Sequence, residues 1–153
     1  LRKDTLQGFV HDEASAFFGG LAGNAGLFST ARDVARVYQM LLNGGAIDGQ
    51  RYLSKETCQL FTTETSKISR RGLGFDKPDA DDPKKGNCAP AAPAEVYGHT
   101  GFTGTCAWVD PVNELVYVFL SNRIYPDVTN RKLNQLHIRE RIQGAIYDAM
   151  KKK

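Results

Sequence analysis

Val34, Val37, Tyr38, Leu41 and Leu42 recur at i, i+3, i+4, i+7 and i+8, the spacing that lines one face of a helix. Thr30 stands at the N-cap position, with Asp33 three residues on to suit the orphan N–H groups and the helix dipole. Gly44-Gly45 stops this helix by the left-handed route. Ser54 opens a second, shorter helix with Glu56 in its first turn and Leu60 and Phe61 as apolar contacts. Residues 71–76 (R-G-L-G-F-D) read as a short strand, and residues 77–95, with Pro78, Pro83, Pro90 and Pro93 among small and charged residues, read as a surface loop. From Val96 the texture changes. Residues 96–100, 105–109 and 115–121 are rich in β-branched and aromatic side chains and are separated by Gly101-Phe102-Thr103-Gly104 and Asp110-Pro111-Val112-Asn113. That alternation predicts an antiparallel meander of three or four strands, with Trp108 and Tyr117 as packing residues of the sheet. Leu133, Leu136, Ile142, Ile146, Tyr147 and Met150 then fall mostly at helical spacing and predict one closing helix on a face of that sheet. A sheet covered by a single helix leaves its other face or an edge in need of a partner, which sequence upstream of this chain would supply.

Composition changes this picture little. The chain has 153 residues, enough for one domain that buries roughly 68–70% of its unfolded surface. Its 41% hydrophobic and 24% charged residues are those of a folded globular protein, without the signature of disorder. The net charge of +3 is matched by Lys151, Lys152 and Lys153 alone; with no basic stripe interleaved with aromatics, nucleic-acid binding is not implied. No apolar run approaches the roughly 20 residues of a membrane span. Cys58, Cys88 and Cys106 are far apart and form no C-x-x-C, so a zinc ribbon is not suggested; a Cys58–Cys88 or Cys88–Cys106 bridge stays open. The chain starts at Leu1 without a charged and then apolar leader, and reads as a piece of a longer protein whose location that start does not tell.

Candidate chemistry concentrates in Tyr97-Gly98-His99-Thr100-Gly101-Phe102-Thr103-Gly104. Glycine weakens a strand, so three of them at a strand edge signal a turn, a bulge, or a ligand or backbone that approaches closely. A plain glycine-rich hairpin stays open beside a substrate-holding edge. Other patterns are weaker. Gly20, Gly23 and Gly26 precede a helix, but no Lys-Ser or Lys-Thr follows and no strand precedes them, so a tight structural loop is preferred to a phosphate cradle. His11, His99 and His137 with Asp12 have no metal-ligand spacing; His11-Asp12 reads as a local turn and His137 as a helix-surface residue. No G-x-S-x-G is present. Arg123 beside Asn122, at the end of a strand expected next to the His99 strand, is a candidate for gripping a substrate carboxylate, against the alternative of a solvated strand-end arginine.

The His99-Thr100-Gly101 triplet on a strand leading into a hairpin resembles the K/H-T-G element of serine β-lactamases, DD-peptidases and related esterases. Two further blocks agree in order: residues 8–45, through Gly19–Gly26 and the helix to Gly45, are similar to the segment that precedes K/H-T-G in class C-like members, and residues 119–126 (F-L-S-N-R-I-Y-P) to their last strand and its exit. The resemblance implies an α/β chain of α+β type, the C-terminal part of a β-lactamase/transpeptidase-like fold. Its single partial domain would span 1–153, with a helical part at 1–66 that carries the Gly-rich loop and strands plus a closing helix at 71–153. It implies that the Phe102 backbone N–H is an oxyanion-hole donor, that Thr100 orients the substrate, that Gly101 keeps the edge bare, and that His99 replaces the more usual Lys, exchanging a permanent charge for one that titrates. Such enzymes need a nucleophilic S-x-x-K and a Y-x-N or S-x-N element. This chain has neither; Ser29, for instance, is followed by Arg32 at the Lys position. In the family both motifs precede the segment present here, so truncation is the simpler account.

The expectation is therefore a C-terminal fragment of a serine hydrolase that acts through an acyl-serine intermediate on a β-lactam, a D-alanyl peptide or an ester. Alone it would be inactive and in want of the N-terminal portion of the same domain. No cofactor or metal is implied; a small-molecule or peptide substrate is, and the oligomeric state stays open. By the resemblance alone the parent is exported or periplasmic, and members similar to this tail also occur fused behind glycoside hydrolase domains. The rival is a non-catalytic module of the same fold that binds cell-wall peptides or serves interaction.

Overall fold

The computed structural model describes residues 5–63, 68–82 and 86–151; Pro83 of the proline-rich segment and Lys152 and Lys153 of the basic terminus lie outside them. The chain falls into two compact units, Leu1–Thr30 and Ala31–Lys153.

In the first unit, Asp12 caps a five-residue helix, α1 (Glu13–Phe17), its carboxylate accepting from the Ser15 N–H at 2.7 Å. Asp12 thus acts as a helix cap, and the helix that follows is too short to show a periodic stripe. The glycine-rich loop closes on itself: Ala22 and Ala25 exchange main-chain hydrogen bonds of 3.0 and 3.3 Å, and a Cβ at Gly26 would run into the Gly20 carbonyl. The tight structural loop is what the chain forms here.

In the second unit, α2 (Ala31–Leu42) follows Thr30 directly. Gly44 and Gly45, at φ 66° and 94°, donate to Leu41 and Met40, the paired hydrogen bonds of a Schellman stop. A small hairpin absent from the sequence reading comes next, β1 (Ala46–Ile47) and β2 (Gln50–Arg51), turned by Asp48-Gly49 with φ of 52° and 77°. Its sequence signal was the Asp-Gly pair itself, which suits a turn with two positive φ angles. Ser54 caps α3 (Lys55–Thr62) through the Thr57 N–H, as its position in the sequence suggests.

Residues 71–76 do not form the expected strand. Gly72 is wedged where a Cβ would meet the Phe61 and Thr63 carbonyls, and the segment bends until only Asp76 reaches a ladder, as a lone antiparallel bridge to Gly98. The sheet proper has three antiparallel strands in sequence order, β3 (Tyr97–Thr100), β4 (Cys106–Asp110) and β5 (Leu115–Phe119). The register pairs Gly98 with Trp108 and Trp108 with Tyr117. Strand alternation then sorts the faces. Thr100, Cys106, Trp108, Asp110 and Tyr117 share one face; Tyr97, His99, Ala107 and Val109 share the other.

The first face carries the core of Cys88, Val96, Cys106, Trp108 and Tyr117, against which Ile146 packs. Two helices end the chain instead of the single closing helix expected: α4 (Lys132–Gln135) and α5 (Ile138–Met150). His137 breaks them apart at φ 48°, a left-handed conformation no apolar periodicity reveals. Helix α5 is tied to the sheet by Tyr117 Oη–H to the Arg139 carbonyl (3.1 Å) and Tyr147 Oη–H to Asp110 Oδ2 (2.8 Å). The second face is not bare either: α2 lies along β4 and β5, with Tyr38 stacked edge-on to Phe75 and Phe75 to Tyr97. The sheet is therefore covered on both faces. Among the described residues the outer edge of β5 has no strand partner, and the outer edge of β3 has only the lone Asp76 bridge.

The segment 77–95 is less superficial than its prolines suggest. Lys77, Cys88 and Ala89 are buried, and the Ala89 N–H donates to Gln143 Oε1 of α5 at 2.8 Å. All three cysteines are free and buried, so neither of the two bridges left open is formed. Burial pushes the Cys88 and Cys106 thiols up to about 12 and about 11.

Candidate functional site

Strand β3 is an edge strand, and its hydrogen-bonding parity decides what it offers. Gly101 N–H donates inward to the Thr105 carbonyl at 2.8 Å, while Gly98 exchanges bonds of 2.7 and 3.0 Å outward with Asp76. Since direction alternates along a strand, the main-chain groups of Thr100 point outward, past the Asp76 bridge. The described bridge of Asp76 thus caps one end of this edge and leaves the triplet beyond it.

Two of the glycines are accounted for inside the protein. At Gly98 an added Cβ would overlap the Ala107 carbonyl and come within 2.7 Å of the Trp108 ring; at Gly104, φ 107°, it would come within 2.9 Å of Leu133 Cδ2. The close approach their presence signals is that of β4 and the α4 region. Gly101 faces Thr105 Oγ1 in the same way.

His99 and Thr100 sit on opposite faces, both half-buried, as neighbours in a strand must. They meet only at the backbone, where His99 Nδ1 lies 2.6 Å from the Thr100 carbonyl. The other ring nitrogen, Nε2, lies 3.1 Å from Nη1 of Arg71. Phe102 is exposed at the tip of the hairpin, in a turn closed by Gly104 N–H to Gly101 O (2.9 Å). Arg123 follows β5, which neighbours β4 and not the His99 strand. Its backbone N–H nevertheless bonds Thr103 O at 2.9 Å, which sets its guanidinium carbon 4.6 Å from the centre of the Phe102 ring. Nη1 of the same side chain donates to the Val128 carbonyl at 3.3 Å. Asn122 beside it is exposed. The fold thus gathers His99, Thr100, Gly101, Phe102 and Arg123 around one end of the sheet.

The arginines at 70 and 71 belong to this edge, although neither carries a motif. Arg70 forks onto Asp76 (Nε to Oδ1 2.8 Å, Nη2 to Oδ2 3.1 Å), and Asn87 donates to the same Oδ2 at 2.8 Å. Burial pushes the Asp76 carboxyl up, but the Arg70 fork, the Asn87 amide and the Lys77 N–H outweigh it and hold the group below its usual value. Lys77 Nζ ties the same corner to the Thr62 and Glu95 carbonyls at 3.2 and 3.3 Å. An open cavity of about 610 Å³ is lined by Arg70, Arg71, Asp79 and Asp81. Only the doubled Arg before G-L-G-F-D hints at this in the sequence. Among the described residues no three His, Cys, Asp or Glu side chains converge as metal ligands.

The chain can thus position and polarise a group laid along β3, through outward main-chain dipoles and fixed cations. It holds no S-x-x-K serine to attack one. The beta-lactamase family model matches residues 3–140. Curated relatives named "Putative D-alanyl-D-alanine carboxypeptidase" from Escherichia coli (strain K12), Salmonella agona (strain SL483) and Salmonella typhi are each 37% identical over 135 residues, 88% of this chain and 31% of the relative. The chain therefore spans about a third of the length of the curated relatives it matches.

Proposed function

We propose, from the premise that the chain belongs to the beta-lactamase family, that it forms one wall of the active site of a serine hydrolase that acts on D-alanyl peptides, β-lactams or esters. The observation that carries the reading is the His99-Thr100-Gly101 triplet on an edge strand whose outward main chain runs on past the Asp76 bridge. In the reaction, a serine of the remaining portion of the domain attacks the substrate carbonyl, and its proton passes to the leaving group as the carbonyl–leaving-group bond breaks. Water then frees the acyl group. Phe102 N–H serves the oxyanion, and Thr100 aligns the substrate along the strand.

The rest of the domain would also finish this one structurally. The open edge of β5 is five consecutive apolar residues, Leu115–Phe119, which the upstream portion would pair or cover. An exported or periplasmic parent belongs to the same reading and rests on the family resemblance alone.

The test is labelling with a fluorescent penicillin and a fluorophosphonate. This chain alone should take up neither, while a longer chain that restores S-x-x-K and Y-x-N upstream should be labelled once, on serine. Stoichiometric labelling of this chain alone would overturn the assignment of the nucleophile to another segment. A longer chain that folds, binds D-alanyl peptide and is never acylated would favour a non-catalytic peptide-binding module.

A further inference from the structure

An arginine guanidinium can only donate hydrogen bonds, because it has five N–H groups and no acceptor. Arg71 Nη1 lies 3.1 Å from His99 Nε2, so this contact is a hydrogen bond only when Nε2 carries a lone pair. The Thr100 carbonyl can only accept, and it lies 2.6 Å from Nδ1, so that contact is a hydrogen bond only when Nδ1 carries the proton. Both demands are met by one species, the neutral Nδ1–H imidazole. The Nε2–H tautomer would lose both bonds and turn two donors against each other.

From this we infer that Arg71 is a positioning residue for the site: it fixes His99 as the Nδ1–H tautomer, so that at the His99 position the charge is carried by Arg71 and not by the imidazole. His99 then serves as a rigid acceptor that orients the guanidinium, whose other N–H groups are directed by the same contact. Arg71 reaches His99 across 28 positions in sequence, and the bend forced at Gly72 is what brings it there. That this end of β3 faces a substrate rests on the functional reading above; the tautomer does not.

The test uses the chain as it stands, uniformly labelled with ¹⁵N, and long-range ¹H–¹⁵N correlation of the imidazoles at mildly alkaline pH, where an ordinary histidine is neutral. His99 should give one protonated-type Nδ1 and one lone-pair-type Nε2 resonance. Arg71→Ala should lose this single tautomer, with both nitrogens shifting toward averaged positions, while Arg71→Lys, which still donates, should restore it in large part. A wild-type spectrum with the proton on Nε2, or an Arg71→Ala variant that keeps the Nδ1–H species, overturns the inference. Backbone amide spectra of both variants confirm the fold, and the Lys variant carries the test if the Ala variant does not fold. Because no substrate is involved, failure here is distinct from a failed labelling of the longer chain.

Discussion

Asp76 holds a carboxylate almost wholly out of solvent, 1% exposed, and four N–H donors from three residues keep it charged. Its folded-state pKa lies below the ordinary value of 3.8, so its contribution to stability is complete above that value and is lost as pH falls through the lower, folded one. Arg70→Ala should therefore cost about 2 kcal/mol at neutral pH. That is less than the about 3–5 kcal/mol for breaking a fully buried pair, because Arg70 keeps about a third of its surface in water. Urea melts of both proteins across pH check this: the gap should be largest at neutral pH and close below 3.8. A gap that persists in acid would mean that Arg70 acts by packing alone. The residue scale is also where the sequence was least informative. The triplet residues His99, Thr100 and Gly101 were legible from their neighbours in sequence, whereas Arg71 and Asp76 acquire their roles from a bend at Gly72 that no periodicity encodes.

At the scale of elements, the apolar spacing placed α2, α3 and the three strands close to where they are found, because each is long enough to repeat its own period against a neighbour. Short elements escaped: α1 has five residues and the β1–β2 hairpin two on each side. The closing helix is where side-chain hydrogen bonds take over from periodicity. Gln143, 1% exposed, accepts from the Ala89 N–H and so pins the proline-rich segment to α5. Gln143→Leu, close in size, removes the acceptor and leaves a buried N–H unpaired, for which about 1–3 kcal/mol of destabilisation is expected. Thermal unfolding checks the size, and amide hydrogen exchange at Ala89 checks the cause. Fast exchange there without loss of protection in β4 would locate the effect at the segment and not in the sheet.

For the whole molecule, the unequal distribution of apolar surface matters most. The sheet is covered on both faces, while the first unit leaves Phe9, Phe17, Phe18, Leu21, Leu27 and Phe28 each at least 64% exposed. Six large apolar side chains exposed within one short stretch of chain suit a surface that another segment would cover. Phe17→Ser with Phe18→Ser should lower binding of a hydrophobic dye to the native chain and shift the unfolding free energy by no more than about 0.5 kcal/mol, as for other exposed positions. A larger loss would show that these rings are packed in solution. With the chain spanning 31% of its relatives' length, the remaining portion of such a domain is the occupant consistent with the proposed function.

Sequence by itself determined the helices with full periods, the antiparallel meander, the capping at Ser54, the glycine stop at Gly44-Gly45 and the resemblance carried by His99-Thr100-Gly101. These depend on interactions within a few residues or on a face repeated along one element, and both leave a local record. Only the tertiary structure decided that α2 covers the second face, that residues 71–76 bend instead of pairing, that the cysteines stay free, and that Arg71 meets His99. Each of these joins positions far apart in the chain through a steric limit or a single hydrogen bond, and such contacts have no period to read.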